Sequence, residues 1–248
     1  MIISGPEEAP PLVLLHASVM ASWSWLYNIE GLNHYFRTYA IDQIGDAGRS
    51  MLADINHFPQ TGTDLITLNN ELMDSLGVQK ASYIGASQGG SIATYIALHT
   101  PKRVNKLILS GPMGYTGTHY TVMRILFTTL FPFKTMQESA LRWAFSDDPF
   151  IPDVTEEWFI IIVKGVVPRS VQPVPFTTEQ LQSLHMPVLF LFGTKYGLVG
   201  NPKKAREHVQ VIPNVQVEIL EAGHLISAEK PEQFNRLILE FLGVDNLE

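Results

Sequence analysis

Six short apolar runs, separated by longer segments of helical period, constrain this chain more than any other feature. They are Pro11-Leu12-Val13-Leu14-Leu15-His16, Tyr39-Ala40-Ile41-Asp42, Ala81-Ser82-Tyr83-Ile84-Gly85, Lys106-Leu107-Ile108-Leu109-Ser110, Pro187-Val188-Leu189-Phe190-Leu191-Phe192-Gly193 and Val215-Gln216-Val217-Glu218-Ile219-Leu220. A run such as Leu12 to Leu15, apolar on both faces, fits a strand covered from both sides. Helices are expected between them. Thr61 to Leu76 carries Leu65, Leu68, Leu72 and Leu76 at helical spacing and ends at Gly77. Ser87 to His99 is closed by Pro101, and Pro231 to Leu242 is the last. Strands alternating with helices give an α/β fold, a mostly parallel sheet with helices on both faces.

Composition agrees with a thick core. Of 248 residues, 46% are hydrophobic and only 17% charged, which suits a large packed domain rather than a disordered chain. The net charge of −7 argues against a nucleic-acid partner, since phosphate binding needs clustered Lys and Arg. The absence of cysteine removes disulfides, thiolate metal sites and a cysteine nucleophile together. The first residues lack the basic and sustained apolar regions of a secretory signal. The stretch from Trp158 to Val167 is interrupted by Lys164 and falls short of the roughly 20 apolar residues of a membrane span. A cytoplasmic protein is the expectation.

One section breaks the alternation. Between Pro112 and Leu184 the chain is rich in aromatics and Met, among them Met123, Phe127, Phe131, Trp143 and Trp158. Pro152, Pro168, Pro173 and Pro175 punctuate its second half. We expect a helical lid over residues 112–184, inserted into a core made of residues 1–111 and 185–248.

Chemistry concentrates at Gly85-Ala86-Ser87-Gln88-Gly89, a G-x-S-x-G pattern between a strand and a helix. The pattern by itself also fits a Gly-rich turn, but that context makes it the sharp elbow that lifts a serine hydroxyl above the sheet edge. Small neighbours are needed there, and Gly85, Ala86, Gly89 and Gly90 supply them. A serine becomes a nucleophile only with a base nearby. Of the eight histidines, His224 follows the sixth apolar run and precedes the last helix, which brings it to the same edge as Ser87.

Together these features resemble the α/β-hydrolase superfamily, in its small carboxylesterase and lipase-like branch with a helical cap. The matches are the His16 loop, Gly45-Asp46-Ala47-Gly48-Arg49-Ser50, the Ser87 elbow, Pro101-Lys102-Arg103-Val104, Gly223-His224 and Pro231-Glu232-Gln233-Phe234. The resemblance implies an α/β-hydrolase fold whose lid follows the family's sixth strand. It implies Ser87 and His224 as catalytic residues and an oxyanion hole made by the backbone N–H groups of Ser18 and Gln88. The family usually has His-Gly where this chain has His16-Ala17. It also places two strands before the His16 strand, for which few residues remain, so the N-terminal strands are expected to be truncated. An incomplete sheet edge of that kind would permit a homodimer.

The triad acid of the family should follow the fifth apolar run, in Gly193-Thr194-Lys195-Tyr196-Gly197-Leu198-Val199-Gly200. That segment has no carboxylate, and Tyr196 occupies the expected position. Ser110-Gly111-Pro112-Met113, the family's alternative site, has none either. Three readings stay open: a Ser87–His224 dyad oriented by Tyr196 or a carbonyl, an acid from elsewhere such as Asp147, Asp148 or Asp153, or a slow or ligand-binding relative. The expected function is hydrolysis of a small apolar carboxylic ester through an acyl-enzyme, with no metal and no cofactor. A lactonase, a carbon–carbon bond hydrolase and a hydrolase-fold binding protein are the alternatives.

Overall fold

Strands that are apolar on both faces need cover on both, and the computed structural model of the chain provides it. Residues 1–115, 175–195 and 201–244 are described. In chain order they form β1 (Ile2–Ser4), β2 (Pro11–Leu15), α1 (Leu26–Asn33), β3 (Arg37–Ile41), α2 (Gly62–Ser75), β4 (Ala81–Ala86), α3 (Gln88–His99) and β5 (Val104–Ser110). After residue 174 come α4 (Thr178–Gln182), β6 (Val188–Gly193), α5 (Pro202–Val209), β7 (Val215–Leu220), α6 (Ile226–Glu229) and α7 (Pro231–Leu242). The strands make one sheet in the order β1-β3-β2-β4-β5-β6-β7. Every pairing is parallel except that of β1 with β3.

The alternation of side chains along each strand divides the interior into two cores. Val13, Leu15, Tyr83, Leu107, Leu109, Phe190 and Phe192 face α2 and α3. Leu12, Leu14, Ile84, Ile108, Leu189 and Leu191 face α1 and α7. All six apolar runs are therefore strands; five are covered on both faces, while β7, at the edge opposite β1, exposes Gln216 and Glu218. β1 is the addition: three residues, Ile2 to Ser4, pair antiparallel with Thr38 to Ala40 and form one edge of the sheet. Its brevity hides it from any test of periodicity.

Local chemistry sets the helix ends. Thr61 caps α2 by accepting the Asp64 N–H, while the Asp64 carboxylate accepts the Thr61 N–H, a reciprocal capping box. Pro231 opens α7, and Gly243 closes it with a left-handed φ of 91°.

Most of the expected lid, residues 116–174, lies outside the described residues. The described ends of that stretch join the core: Tyr115, Phe176, Leu181 and Leu184 are buried on the α3 side. The Phe176 N–H donates to the Gly114 carbonyl at 3.0 Å. No helix among the described residues is long and apolar enough to cross a membrane.

One contact fixes how α3 meets the sheet. A Cβ at Gly89 would lie 2.2 Å from the Leu15 carbonyl oxygen and 2.6 Å from that of His16. The helix start thus rests directly on the backbone at the end of β2. Gly89→Ala is expected to cost about 3 kcal/mol or more, because backbone on both sides must move. Thermal melting checks this, with an expected fall in Tm of roughly 6–12 °C for a chain of this size.

Candidate active site

Because β2, β4, β5, β6 and β7 run parallel, the segments that leave their carboxyl ends gather at one edge of the sheet. Ser87, His16, Gly111 and His224 all lie there. Ser87 follows β4 at φ 50° and ψ −113°, a left-handed conformation rare for a residue with a side chain. Such a conformation costs on the order of 1–3 kcal/mol and persists only where its surroundings enforce it. Here the Ser87 N–H donates to the Ser110 carbonyl at 2.9 Å, and its carbonyl accepts the Met113 N–H at 3.1 Å. The same carbonyl accepts the Gly90 N–H at 3.1 Å and so starts α3. The elbow is pinned to the turn that follows β5.

That turn also meets His224. Gly111 has φ 49°, and a Cβ there would stand 3.2 Å from His224 Nδ1 and 3.3 Å from Cε1. Ser87 and His224 are therefore brought to the same short segment, Ser110 to Met113, from two sides. His224 is buried, with 6% of its surface exposed. Neither ring nitrogen has a hydrogen-bond partner among the described residues. Burial alone lowers its pKa to about 4, since charging the ring there removes an ion from water. It is neutral at pH 7, as a general base must be.

Hydrogen bonds hold the loop after β2. The His16 ring is fully buried, with Nδ1 2.8 Å from the Ala17 carbonyl oxygen and Nε2 accepting the Gln43 N–H at 2.9 Å. This pairing defines a neutral ring protonated at Nδ1, and burial takes its pKa down to about 4. His16 is thus an architectural group. The Gln43 side chain donates to the His16 carbonyl at 2.6 Å, a second tie on the same residue. The Met20 N–H closes a turn onto the Ala17 carbonyl at 3.2 Å, with Ser18 and Val19 at its centre. Val19 has φ 60°, a conformation that costs about 1–2 kcal/mol in an L-residue. Its N–H donates to Asp46 Oδ1 at 2.8 Å, which holds the turn in that shape. Burial pushes the Asp46 carboxyl up to about 6.

Ser18 lies in the turn after β2, and Gln88 is the first residue of α3. Among the described residues, neither backbone N–H has a hydrogen-bond partner. A cavity of about 500 Å³ adjoins Gln88, walled by Leu15, Ile41, Leu65, Leu72 and Ile92. Asp42 and Asp46 also contribute to its lining.

Tyr196 and the three lid aspartates, Asp147, Asp148 and Asp153, lie outside the described residues. No cluster of three or more His, Asp or Glu side chains suited to a metal ion occurs among those described. Sequence reasoning gave no role to Gln43, Gly111, Asp46 or Glu229. Asp46 could have been suspected from Gly45-Asp46-Ala47-Gly48, an acid within a Gly-rich loop. The others act through contacts that carry no local pattern.

Comparison with known proteins agrees with this geometry. The alpha/beta hydrolase fold family model matches residues 10–150. The chain is 31% identical to carboxylesterase YbfK of Bacillus subtilis over 98% of its own length and 83% of the relative's. The crystal structure of naproxen esterase (carboxylesterase NP) from the same organism superimposes with a TM-score of 0.88 at 29% identity, covering 97% of this chain and 86% of that one. A meta-cleavage product hydrolase from Pseudomonas fluorescens, at 20% identity and a TM-score of 0.81, shares the fold over 99% of this chain and 94% of its own. On the family match and the near-complete span of the relatives, the chain belongs to the alpha/beta hydrolase fold family.

Proposed function

We propose that this protein is a serine carboxylesterase in which Ser87 attacks the ester and His224 serves as general base. The observation that carries the reading is the forced conformation of Ser87 at the sheet edge, on the turn that also contacts the buried His224. The relatives named as carboxylesterases, alike over nearly the whole chain, support the same chemistry. Ser87 Oγ bonds to the carbonyl carbon while its proton passes to the imidazole. The carbonyl oxygen becomes an oxyanion, for which the N–H groups of Ser18 and Gln88 are the donors in this reading. Each such donor is worth about 3–4 kcal/mol in the transition state. Collapse of the intermediate breaks the ester C–O bond, and the imidazolium returns the proton to the departing alcohol. Water then repeats the sequence on the acyl-enzyme and frees the acid.

The aromatic-rich sequence of residues 112–184 and the relatives named as carboxylesterases support an apolar ester, such as a short- to medium-chain acyl ester, as substrate. The outer edge of β1 is where a second copy would pair if the enzyme is a dimer. The lid assignment, narrowed to the part of residues 112–184 between its core-packed ends, belongs to the same reading.

Two measurements test it. Hydrolysis of p-nitrophenyl butyrate is expected to fall by about 10³-fold or more in Ser87→Ala and in His224→Ala, with loss of fluorophosphonate labelling in the first. Equal turnover by Ser87→Ala and the parent protein would exclude the serine mechanism. The second is the pH profile of kcat/KM. Only neutral His224 accepts a proton, and its value of about 4 in the folded chain means that activity persists on acidification and declines through about pH 4. A decline centred on the ordinary histidine value of 6.5 would contradict the buried imidazole. Stability follows the same sign: the unfolded chain binds this proton below pH 6.5 and the folded chain only near pH 4, so this group's contribution drops as pH falls across that window.

A further inference from the structure

We infer that Glu229 is a positioning residue for His224, fixing the loop of the general base through the Gly223 N–H. This rests on His224 being that base. The loop comprises the five residues between β7 and α6, 221–225. Its backbone is tied to the ends of β6 and β7. The Ala222 N–H donates to the Leu220 carbonyl at 2.8 Å, and the Ala222 carbonyl accepts the Lys195 N–H at 3.1 Å. The next donor, the Gly223 N–H, turns away from the strands and donates to Glu229 Oε2 at 2.7 Å. That is the last backbone N–H before the histidine's own.

Three observations give this bond its weight. Glu229 is only 5% exposed, and burying a carboxylate is costly unless strong hydrogen bonds compensate it. The 2.7 Å separation is that of a charge-assisted bond. And the His224 ring lies close against Gly111, where a Cβ would stand 3.2 Å from Nδ1, so a shift of the backbone that carries the ring has little free space to absorb it. In a triad the acid orients the histidine directly. Glu229 acts one residue earlier, on the peptide that sets where the ring starts.

The carboxylate is mounted on a firm base. It ends α6, whose N–H groups at Ala228 and Glu229 both donate to the Leu225 carbonyl at 3.0 Å. Pro231 then begins α7, which Phe234, Ile238 and Leu239 anchor in the core. Glu229 thus transfers the rigidity of a core helix to a catalytic loop six residues back in the chain.

The test uses the full chain with Glu229→Ala and Glu229→Gln, alongside Ser87→Ala. Steady-state hydrolysis of p-nitrophenyl butyrate, the rate of fluorophosphonate labelling and a thermal melt are measured for each. Misplacing a reacting group by about 1 Å can cost 10²-fold, so Glu229→Ala is expected to lower kcat and the labelling rate by about that factor with KM within about two-fold. Glu229→Gln retains an oxygen that accepts the Gly223 N–H and is expected to recover to within about 10-fold of the parent. A folded Glu229→Ala protein with parental kcat would overturn the assignment, as would an effect confined to KM. Failure of both variants to fold would also overturn it, by making Glu229 a core residue and nothing more. Undiminished turnover in Ser87→Ala would instead remove the esterase reading itself, which separates the two failures.

Discussion

The contact of α3 on the backbone at the end of β2 governs the geometry of the whole reactive edge. With no side chain at Gly89, the first turn of the helix lies against the carbonyls of Leu15 and His16. Ser87 must then join β4 to a helix starting closer to the sheet than an ordinary turn allows, and its left-handed backbone follows from that. The same approach sets Gln88 beside the loop that begins at His16. On the proposed mechanism, nucleophile and oxyanion donors would thus share one steric origin.

A second theme is that the site is strained and braced at matching points. Ser87 and Val19 are the described non-glycine residues with positive φ. Each is held by hydrogen bonds to a distant segment: Ser87 to Ser110 and Met113, Val19 to Asp46. A hydrogen bond of this kind contributes about 0.5–1.5 kcal/mol net, the same order as the strain it opposes. The edge is therefore rigid because the surrounding fold over-determines it, and that preorganisation is what a tetrahedral intermediate requires.

How much of this was legible in the sequence depends on the range of the interaction. The five inner strands read clearly, because strands buried on both faces appear as apolar runs, Leu12 to Leu15 and Val188 to Phe192 above all. The bounds of α7 were readable from Pro231 and Gly243, and the start of α2 from Thr61. α5 was not read, since Lys203, Lys204, Arg206 and Glu207 dominate it and only Pro202, Ala205 and Val209 are buried. Ser87 stood out through a five-residue pattern and His224 through its place after the last strand. Val19 gave no sign, as a β-branched residue is a poor candidate for a left-handed turn. Its restraint by Asp46 spans 27 positions, and no local pattern can report such a pair. Glu229 lay close in sequence to His224 but drew no reading, because a buried acid and an exposed one are spelled alike.

The brace at Asp46 has a property that a lysine or arginine clamp would lack. Its carboxyl binds the Val19 N–H as an acceptor, and with a pKa of about 6 it changes charge within the ordinary range of cellular acidity. A carboxyl group remains an acceptor through its carbonyl oxygen after it has taken up a proton. Loss of charge at Asp46 therefore weakens the tether without cutting it. The turn that carries Ser18 is thus held through an acceptor that does not depend on charge alone.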